Sequence, residues 1–198
     1  MRKLITISAV VVMLLCTYAS ADLINFDDIS TGSAGYANVP SNYLGLTWSG
    51  DWEVISQAYY NAHYPGAVTF PSSPNAAYNG LDFGGNVLST SSGTAFTLDS
   101  LYASRFVGAG PQSSTLTLTA YLGGSLVGSD TLNLSNGFVQ WAPALGGLVD
   151  KVEFTGDSLA NYVYLIDDVT ITPVPVPAAV LLGMLGFCVA GLKLRKLA

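Results

Sequence analysis

Residues 115–134 constrain this chain more than any other stretch. Thr115, Thr117 and Thr119 alternate with Leu116, Leu118 and Ala120; after Tyr121 and Leu122 come Gly123 and Gly124, and the segment from Leu126 to Leu134 returns. Period two sends successive side chains to opposite faces of a strand, and a glycine pair between two such runs marks a tight antiparallel hairpin. A lone hairpin is marginal in water, so further strands must complete it. Residues 101–107, 138–142, 149–154 and 162–171 supply them, being short, rich in β-branched or aromatic side chains, and separated by Gly, Asn, Ser or Pro. No comparable helical periodicity interrupts them. The expectation is an all-β domain over residues 22–172, a two-sheet antiparallel sandwich of jelly-roll type.

Both ends read differently. Arg2 and Lys3 precede an uncharged apolar run from Leu4 to Cys16, and Ala19, Ser20 and Ala21 offer the small residues a signal peptidase needs. That pattern predicts a helical signal peptide over residues 1–21, cut ahead of Asp22. At the other end residues 174–192 carry no charge, and Lys193, Arg195 and Lys196 follow. At about 1.5 Å per helical residue this stretch is just long enough for a bilayer core, and a transmembrane helix is predicted over residues 178–192. A buried core helix is disfavoured by Pro173, Pro175 and Pro177 at its start and by Gly183, Gly186 and Gly191 within it. The basic tail, residues 193–198, stays cytoplasmic by the positive-inside rule, which leaves the sandwich on the outer side, as the signal peptide also requires.

The run Val174, Pro175, Val176, Pro177, Ala178, Ala179, with the apolar span and basic tail after it, resembles the PEP-CTERM sorting signal of Gram-negative envelope and matrix proteins, in particular its Val-Pro-Leu-Pro-Ala subclass. The resemblance covers residues 173–198 and departs from the family at Val176, where the main family has glutamate and the subclass leucine. It implies a transient anchor in the inner membrane and an exosortase-type enzyme as processing partner. More faintly, residues 24–28, the segment Gly45 to Trp48, and residues 165–169 resemble the sandwich domains found upstream of such tails. Those domains are similar to carbohydrate-binding modules and concanavalin-like jelly rolls, so the resemblance implies architecture and no named activity.

Without the two terminal segments the composition changes. Five of the seven lysines and arginines lie there, leaving Arg105 and Lys151 against all thirteen acidic residues, a formal charge of −11. Such a domain repels nucleic-acid phosphates, so no nucleic-acid partner is expected. Cys16 and Cys188 also fall in the terminal segments, and the exported domain is left without a disulfide.

Three groups of residues have candidate chemistry. Near the chain's end Val163, Leu165, Asp167, Val169 and Ile171 alternate, which puts Asp167 among apolar neighbours; near its start the same parity groups Leu23, Asn25, Asp27 and Ile29. First and last strands commonly lie side by side in a sandwich, so Asp27 and Asp167 are expected to approach and to share a structural Ca²⁺ with backbone carbonyls. No EF-hand pattern accompanies them. Residues 43–70 gather Tyr43, Trp48, Trp52, Tyr59, Tyr60, His63, Tyr64 and Phe70. Aromatic faces stack on sugar rings, and Trp52, Tyr59 and Tyr60 are the expected members of an exposed glycan-binding platform; the competing reading has these rings anchoring loops over the core. Asp51 and Glu53, two residues apart, are the one pair that suits a glycosidase.

Other catalytic machinery is missing from the sequence. His63 is the single histidine, and no Gly-x-Ser-x-Gly elbow is present. The expected function is therefore that of an exported, non-enzymatic surface or matrix protein, structural or adhesive in the exopolysaccharide layer. A carbohydrate-binding module is the first alternative and a glycoside hydrolase the second.

Overall fold

In the computed structural model the described residues are 20–174, apart from residue 50, residue 65 and segments 81–85, 91–93, 109–111 and 158–162. The expected signal helix, transmembrane span and basic stop, together with Ala19 and the motif from Pro175 to Ala179, lie outside them. Among the described residues no helix is long and apolar enough to cross a membrane.

The described strands are β1 (Asp22–Ile24), β2 (Tyr36–Asn38), β3 (Asn42–Tyr43), β4 (Leu46–Ser49), β5 (Glu53–Ser56), β6 (Asn75–Tyr78), β7 (Asn86–Thr90), β8 (Phe96–Arg105), β9 (Thr115–Leu122), β10 (Ser125–Asn133), β11 (Val139–Trp141), β12 (Lys151–Gly156) and β13 (Tyr164–Pro173), with a 3-10 turn at Gly32–Ala34 and one short α-helix, α1 (Gln57–His63), after β5. They form two antiparallel sheets. One runs β11-β8-β13-β6-β5-β2, with β1 also on β13; the other runs β10-β9-β12-β7-β4-β3. The hairpin expected at Gly123 and Gly124 is β9–β10, with Leu122 opposite Ser125 and Thr115 opposite Asn133. First and last strands do pair: Asp22 faces Ile171 and Ile24 faces Val169.

Packed face to face, the sheets make a β-sandwich. Val54, Ala77, Leu101, Ile166 and Val169 from the first sheet meet Leu46, Trp48, Leu88, Leu118, Val152 and Phe154 from the second. At the centre the Trp52 ring stands edge-on to Trp48 at 5.4 Å and to Phe154 at 5.2 Å. Its Nε1 donates to the Val87 carbonyl at 3.3 Å, so the ring's polar atom is satisfied where water is excluded.

The outer side of the first sheet holds a second cluster of Ile55, Tyr60, Phe70, Ala76 and Leu165, roofed by α1 and the segment after it. Sequence periodicity missed α1 because seven residues make barely two turns. Ser56 starts it, its Oγ accepting from the Tyr59 amide at 3.3 Å, and Tyr60 is its buried residue.

β13 divides between the two clusters. Its pairing with β8 slips between Asp167 and Thr170, and Asp168 adopts φ +47°. This bulge reverses the alternation, so Tyr164, Ile166, Val169 and Ile171 face the main core while Leu165 packs in the outer cluster. The single apolar face expected from Val163 to Ile171 is thus corrected. One extra residue in a strand moves every later side chain to the opposite face.

Truncating Phe154 to alanine is expected to cost about 3–5 kcal/mol, as for other buried aromatics. Thr155, exposed on the neighbouring face, is expected to change stability by under about 0.5 kcal/mol when so truncated. Urea denaturation of both variants measures the contrast.

Candidate functional site: a tyrosine surface around Glu53

Neighbouring elements on the outer side of the first sheet bring tyrosines together. β2 carries Tyr36, β6 carries Tyr78 and α1 carries Tyr59, with Tyr64 just beyond the helix. In register Glu53 on β5 lies directly opposite Tyr78, whose hydroxyl donates to Glu53 Oε2. Tyr36 meets Tyr59 edge-on with ring centres 5.9 Å apart, and Tyr59 stacks on His63 at 3.8 Å and 18°. His63 Nδ1–H donates to the Tyr59 carbonyl at 2.9 Å, which fixes the ring's tautomer and turns Nε2 away from that bond. Tyr36 is 46 % exposed, and His63 is exposed as well.

Gly35 makes room for this arrangement. It adopts φ +78°, and a Cβ there would lie 2.3 Å from Tyr59 Cδ2. Its carbonyl accepts the Ser56 amide at 2.8 Å, tying the turn ahead of β2 to the start of α1. Glycine alone tolerates both the backbone angle and the ring against it.

Two of the site's phenols, Tyr78 and Tyr64, are held neutral by their surroundings. Burial raises the Tyr78 hydroxyl well above the ordinary tyrosine value; its bond to Glu53, the Glu53 charge, and nearby Tyr64 and Tyr36 add to the rise. Burial also raises Tyr64, with Tyr59 and Tyr36 contributing. These hydroxyls therefore remain donors and acceptors at any physiological pH, and Glu53 is an acceptor among them. Rings that present an apolar face beside such groups suit a polyhydroxylated ring with apolar CH faces.

The expected platform residues separate. Trp52 is 2 % exposed and Tyr60 fully buried, so neither presents a face to solvent, and that part of the expectation is corrected. Trp52 completes the main core, while Tyr60 packs on Phe70 at 5.6 Å and accepts the Val107 amide at 2.7 Å. Burial pushes the Tyr60 hydroxyl up to about 12, against a smaller lowering by that amide. Tyr59 alone of the three stays at the surface. Tyr36 and Tyr78 were not anticipated, since nothing in their spacing announces that β2, β5 and β6 are neighbours. Of the two carboxylates that would serve the hydrolase alternative, Asp51 is exposed ahead of β5, and Glu53 is engaged with Tyr78.

Asp27 and Asp167 both fasten the segment leading into β6. Asp167 is fully buried; its Oδ2 accepts the Ser72 amide at 3.0 Å, and its Oδ1 accepts the Asp168 amide at 2.8 Å. Asp27 Oδ1 accepts the Asn75 amide at 3.0 Å, while Asn75 Nδ2 donates to the carbonyls of Phe26 at 3.0 Å and Ile29 at 2.8 Å. Among the described residues no three His, Cys, Asp or Glu side chains gather into a metal-holding group. Each of these carboxylates thus accepts at least one backbone amide. Burial, outweighing the hydrogen bonds, pushes the Asp167 carboxyl up to about 7, and the neighbouring Asp168 charge adds to the rise.

No protein-family model matches the chain, and no curated protein matches it. Among solved structures it is similar to the arabinose-bound MgGH51 α-L-arabinofuranosidase, with 14 % identity and a TM-score of 0.44 over 79 % of this chain and 26 % of that one. The chain thus spans about a quarter of that enzyme. A second likeness is to the K2 cleaved adhesin domain of Lys-gingipain, at 15 % identity and TM-score 0.41, covering 77 % of this chain and 98 % of that one. A third is to the C-terminal family 22 carbohydrate-binding module of Clostridium thermocellum Xyn10B, at 16 % identity and TM-score 0.36, covering 73 % and 96 %. None of these TM-scores reaches 0.5.

Two outcomes are expected. Gly35→Ala displaces the Tyr59 ring and costs about 1–3 kcal/mol, read by denaturation and by the near-ultraviolet circular dichroism of the tyrosines. Because Asp167 titrates higher folded than unfolded, its stabilising contribution is complete below about pH 4 and lost as pH rises through about 7. Wild type should therefore lose on the order of 2–4 kcal/mol relative to Asp167→Asn between pH 4 and pH 8. Urea titrations of both proteins in EGTA, so that no divalent cation neutralises the carboxylate, check the sign.

Proposed function

We propose that this chain is an exported, non-enzymatic carbohydrate-binding β-sandwich that works at the cell surface or in the extracellular polysaccharide matrix. The observation that carries this reading is the grouping of Tyr36, Tyr59, Tyr64 and Tyr78 on the outer side of the first sheet, with Tyr36 against Tyr59 and Tyr78 bonded to Glu53. Aromatic faces take the CH surface of a sugar, and the phenols and carboxylate take its hydroxyls. A hydrolytic reading would need Asp51 and Glu53 to work as a carboxylate pair, whereas Glu53 is bonded to Tyr78 and Asp51 lies exposed ahead of β5.

Export and sorting rest on the sequence. The signal ahead of Asp22 directs the chain through the inner membrane, the C-terminal span holds it there, and an exosortase-type enzyme cuts near residues 174–179. The released domain then meets exopolysaccharide.

A glycan array probed with the full chain tests the binding claim. Selective capture is expected, weakened roughly tenfold by Tyr59→Ala, the loss that goes with one stacking ring. A blank array, or capture unchanged in both Tyr59→Ala and Tyr36→Ala, rejects it. Fractionation of producing cells tests the sorting claim. Replacing residues 174–179 with Gly and Ser should leave an unprocessed form in the inner membrane, and a wild-type chain that is soluble in the cytosol with both ends intact rejects export.

A further inference from the structure

Among the described residues the outer face of the second sheet is open to solvent and has its own organised cluster. Tyr121 on β9 and Lys151 on β12 are direct cross-strand neighbours, and Glu153 lies two residues along from Lys151. Lys151 Nζ donates to Glu153 Oε1 at 2.8 Å and sits 4.1 Å above the centre of the Tyr121 ring, while the Tyr121 hydroxyl donates to Glu153 Oε2 at 3.0 Å. Lys151 and Glu153 are 38 % and 34 % exposed, so the triad is open to solvent. On the far side of Tyr121 in register stands Leu126, 63 % exposed.

Farther along the same face comes a polar row. Thr117 lies between Thr131 on β10 and Thr155 on β12, with the Thr117 and Thr131 hydroxyls 2.9 Å apart. From Thr115 to Tyr121 β9 rises about 20 Å, room for several sugar rings in line. Each group in the triad is already held by the others, so ordering it on a ligand costs little side-chain entropy.

Charge identifies the occupant. The exported domain has thirteen acidic residues and only two cations, yet these rows hold one ammonium and one carboxylate, joined to each other. Asp157 and Asp150 stand at the two ends, each accepting a backbone amide at 2.7 Å, from Ser114 and Gly123 respectively. An anionic polymer meets a repelling domain and a cation already paired, and a cationic one meets that same ammonium on the face, with Glu153, Asp150 and Asp157 each already accepting hydrogen bonds. A neutral polyhydroxylated chain meets hydroxyls, an aromatic side chain, Leu126 and a self-compensated ion pair.

We propose that this face is a second contact surface for neutral polysaccharide, so that one domain bridges two polysaccharide chains. The inference rests on the carbohydrate-binding reading above and adds a site on the opposite outer side of the sandwich from Glu53. Bridging needs no oligomer, because each face takes its own chain.

The full chain, its Tyr121→Ala, Lys151→Gln and Tyr59→Ala variants, and the Tyr59→Ala/Tyr121→Ala double variant test this, once thermal melts show that each folds. Glucomannan and xyloglucan serve as neutral probes and alginate as the anionic one. Wild type bound to a coated neutral polysaccharide is expected to retain a soluble fluorescent copy of that polysaccharide. Tyr121→Ala and Lys151→Gln should still bind the coat through the tyrosine surface but retain roughly tenfold less of the soluble chain, and the double variant should lose the coat as well. Retention by both Tyr121→Ala and Lys151→Gln equal to wild type overturns the second surface and leaves the first intact. Loss of all binding in Tyr121→Ala with none lost in Tyr59→Ala overturns bridging and the tyrosine surface while keeping carbohydrate binding. Preference for alginate overturns the neutral class, and failure of wild type to bind either neutral probe overturns both readings together.

Discussion

A bulge at Asp167 and Asp168 decides what each half of the last strand faces, and through that strand most of the first sheet. β13 is its middle member, hydrogen-bonded along one edge to β8 and along the other to β6 and then β1. A regular strand of this sequence would present Leu165, Val169 and Ile171 on a single face. With the slip, Val169 and Ile171 join Tyr164 and Ile166 between the sheets, while Leu165 is released to nucleate a second cluster outside them. That cluster gives α1 and the segment after it an apolar floor to settle on, and α1 brings Tyr59 to Tyr36. Asp167 supplies the polar counterpart by accepting the Ser72 amide, so the buried carboxylate holds down the roof over its own sheet.

The hairpin at Gly123 and Gly124 was legible in the sequence because it follows from period two and from turn residues, and the pairing of first and last strands because sandwich folds commonly place them side by side. Asp167 was correctly read as buried, but among the wrong neighbours, because a bulge leaves no mark in hydrophobic alternation when residues on both sides of it are apolar. Helix α1 went unread for a related reason: Gln57 to His63 is too short for periodicity to outweigh the surrounding β signal. In the aromatic stretch composition alone could not separate anchors from exposed rings. Trp52 and Tyr60 are buried while Tyr59, beside Tyr60 in sequence, is half-exposed, because adjacent helical positions differ by about 100° around the axis.

Burial and charge follow different maps on this molecule. The buried polar side chains are held chiefly by backbone groups, as when Asn75 bridges Phe26 and Ile29 and Asn79 accepts the Tyr164 amide. Among the described residues few of the acids have a cation near. Arg105 spends its guanidinium on the Leu134 carbonyl at 3.3 Å, and Lys151 is paired with Glu153. Most of the negative charge of residues 22–172 therefore goes uncompensated within that span, and copies of the domain repel one another within a screening length of about 8 Å at physiological salt.

That repulsion and the two proposed contact surfaces act on different distances. Repulsion between acidic domains is long-ranged for a protein surface and fades with salt, whereas stacking and hydrogen bonding to a neutral sugar act only in contact and barely respond to ionic strength. A domain that repels its own kind while gripping neutral chains on two sides spaces itself along a polysaccharide instead of clumping on it. Tyrosine fits this role better than phenylalanine would, since each phenol stays protonated and hydrogen-bonding: Tyr78 against Glu53 on one side, Tyr121 against Glu153 on the other. In both places a carboxylate that would otherwise repel an approaching ligand's oxygens is partly neutralised by a phenolic donor from the adjacent strand. The same cross-strand device thus recurs on two sheets whose sequences share no repeat.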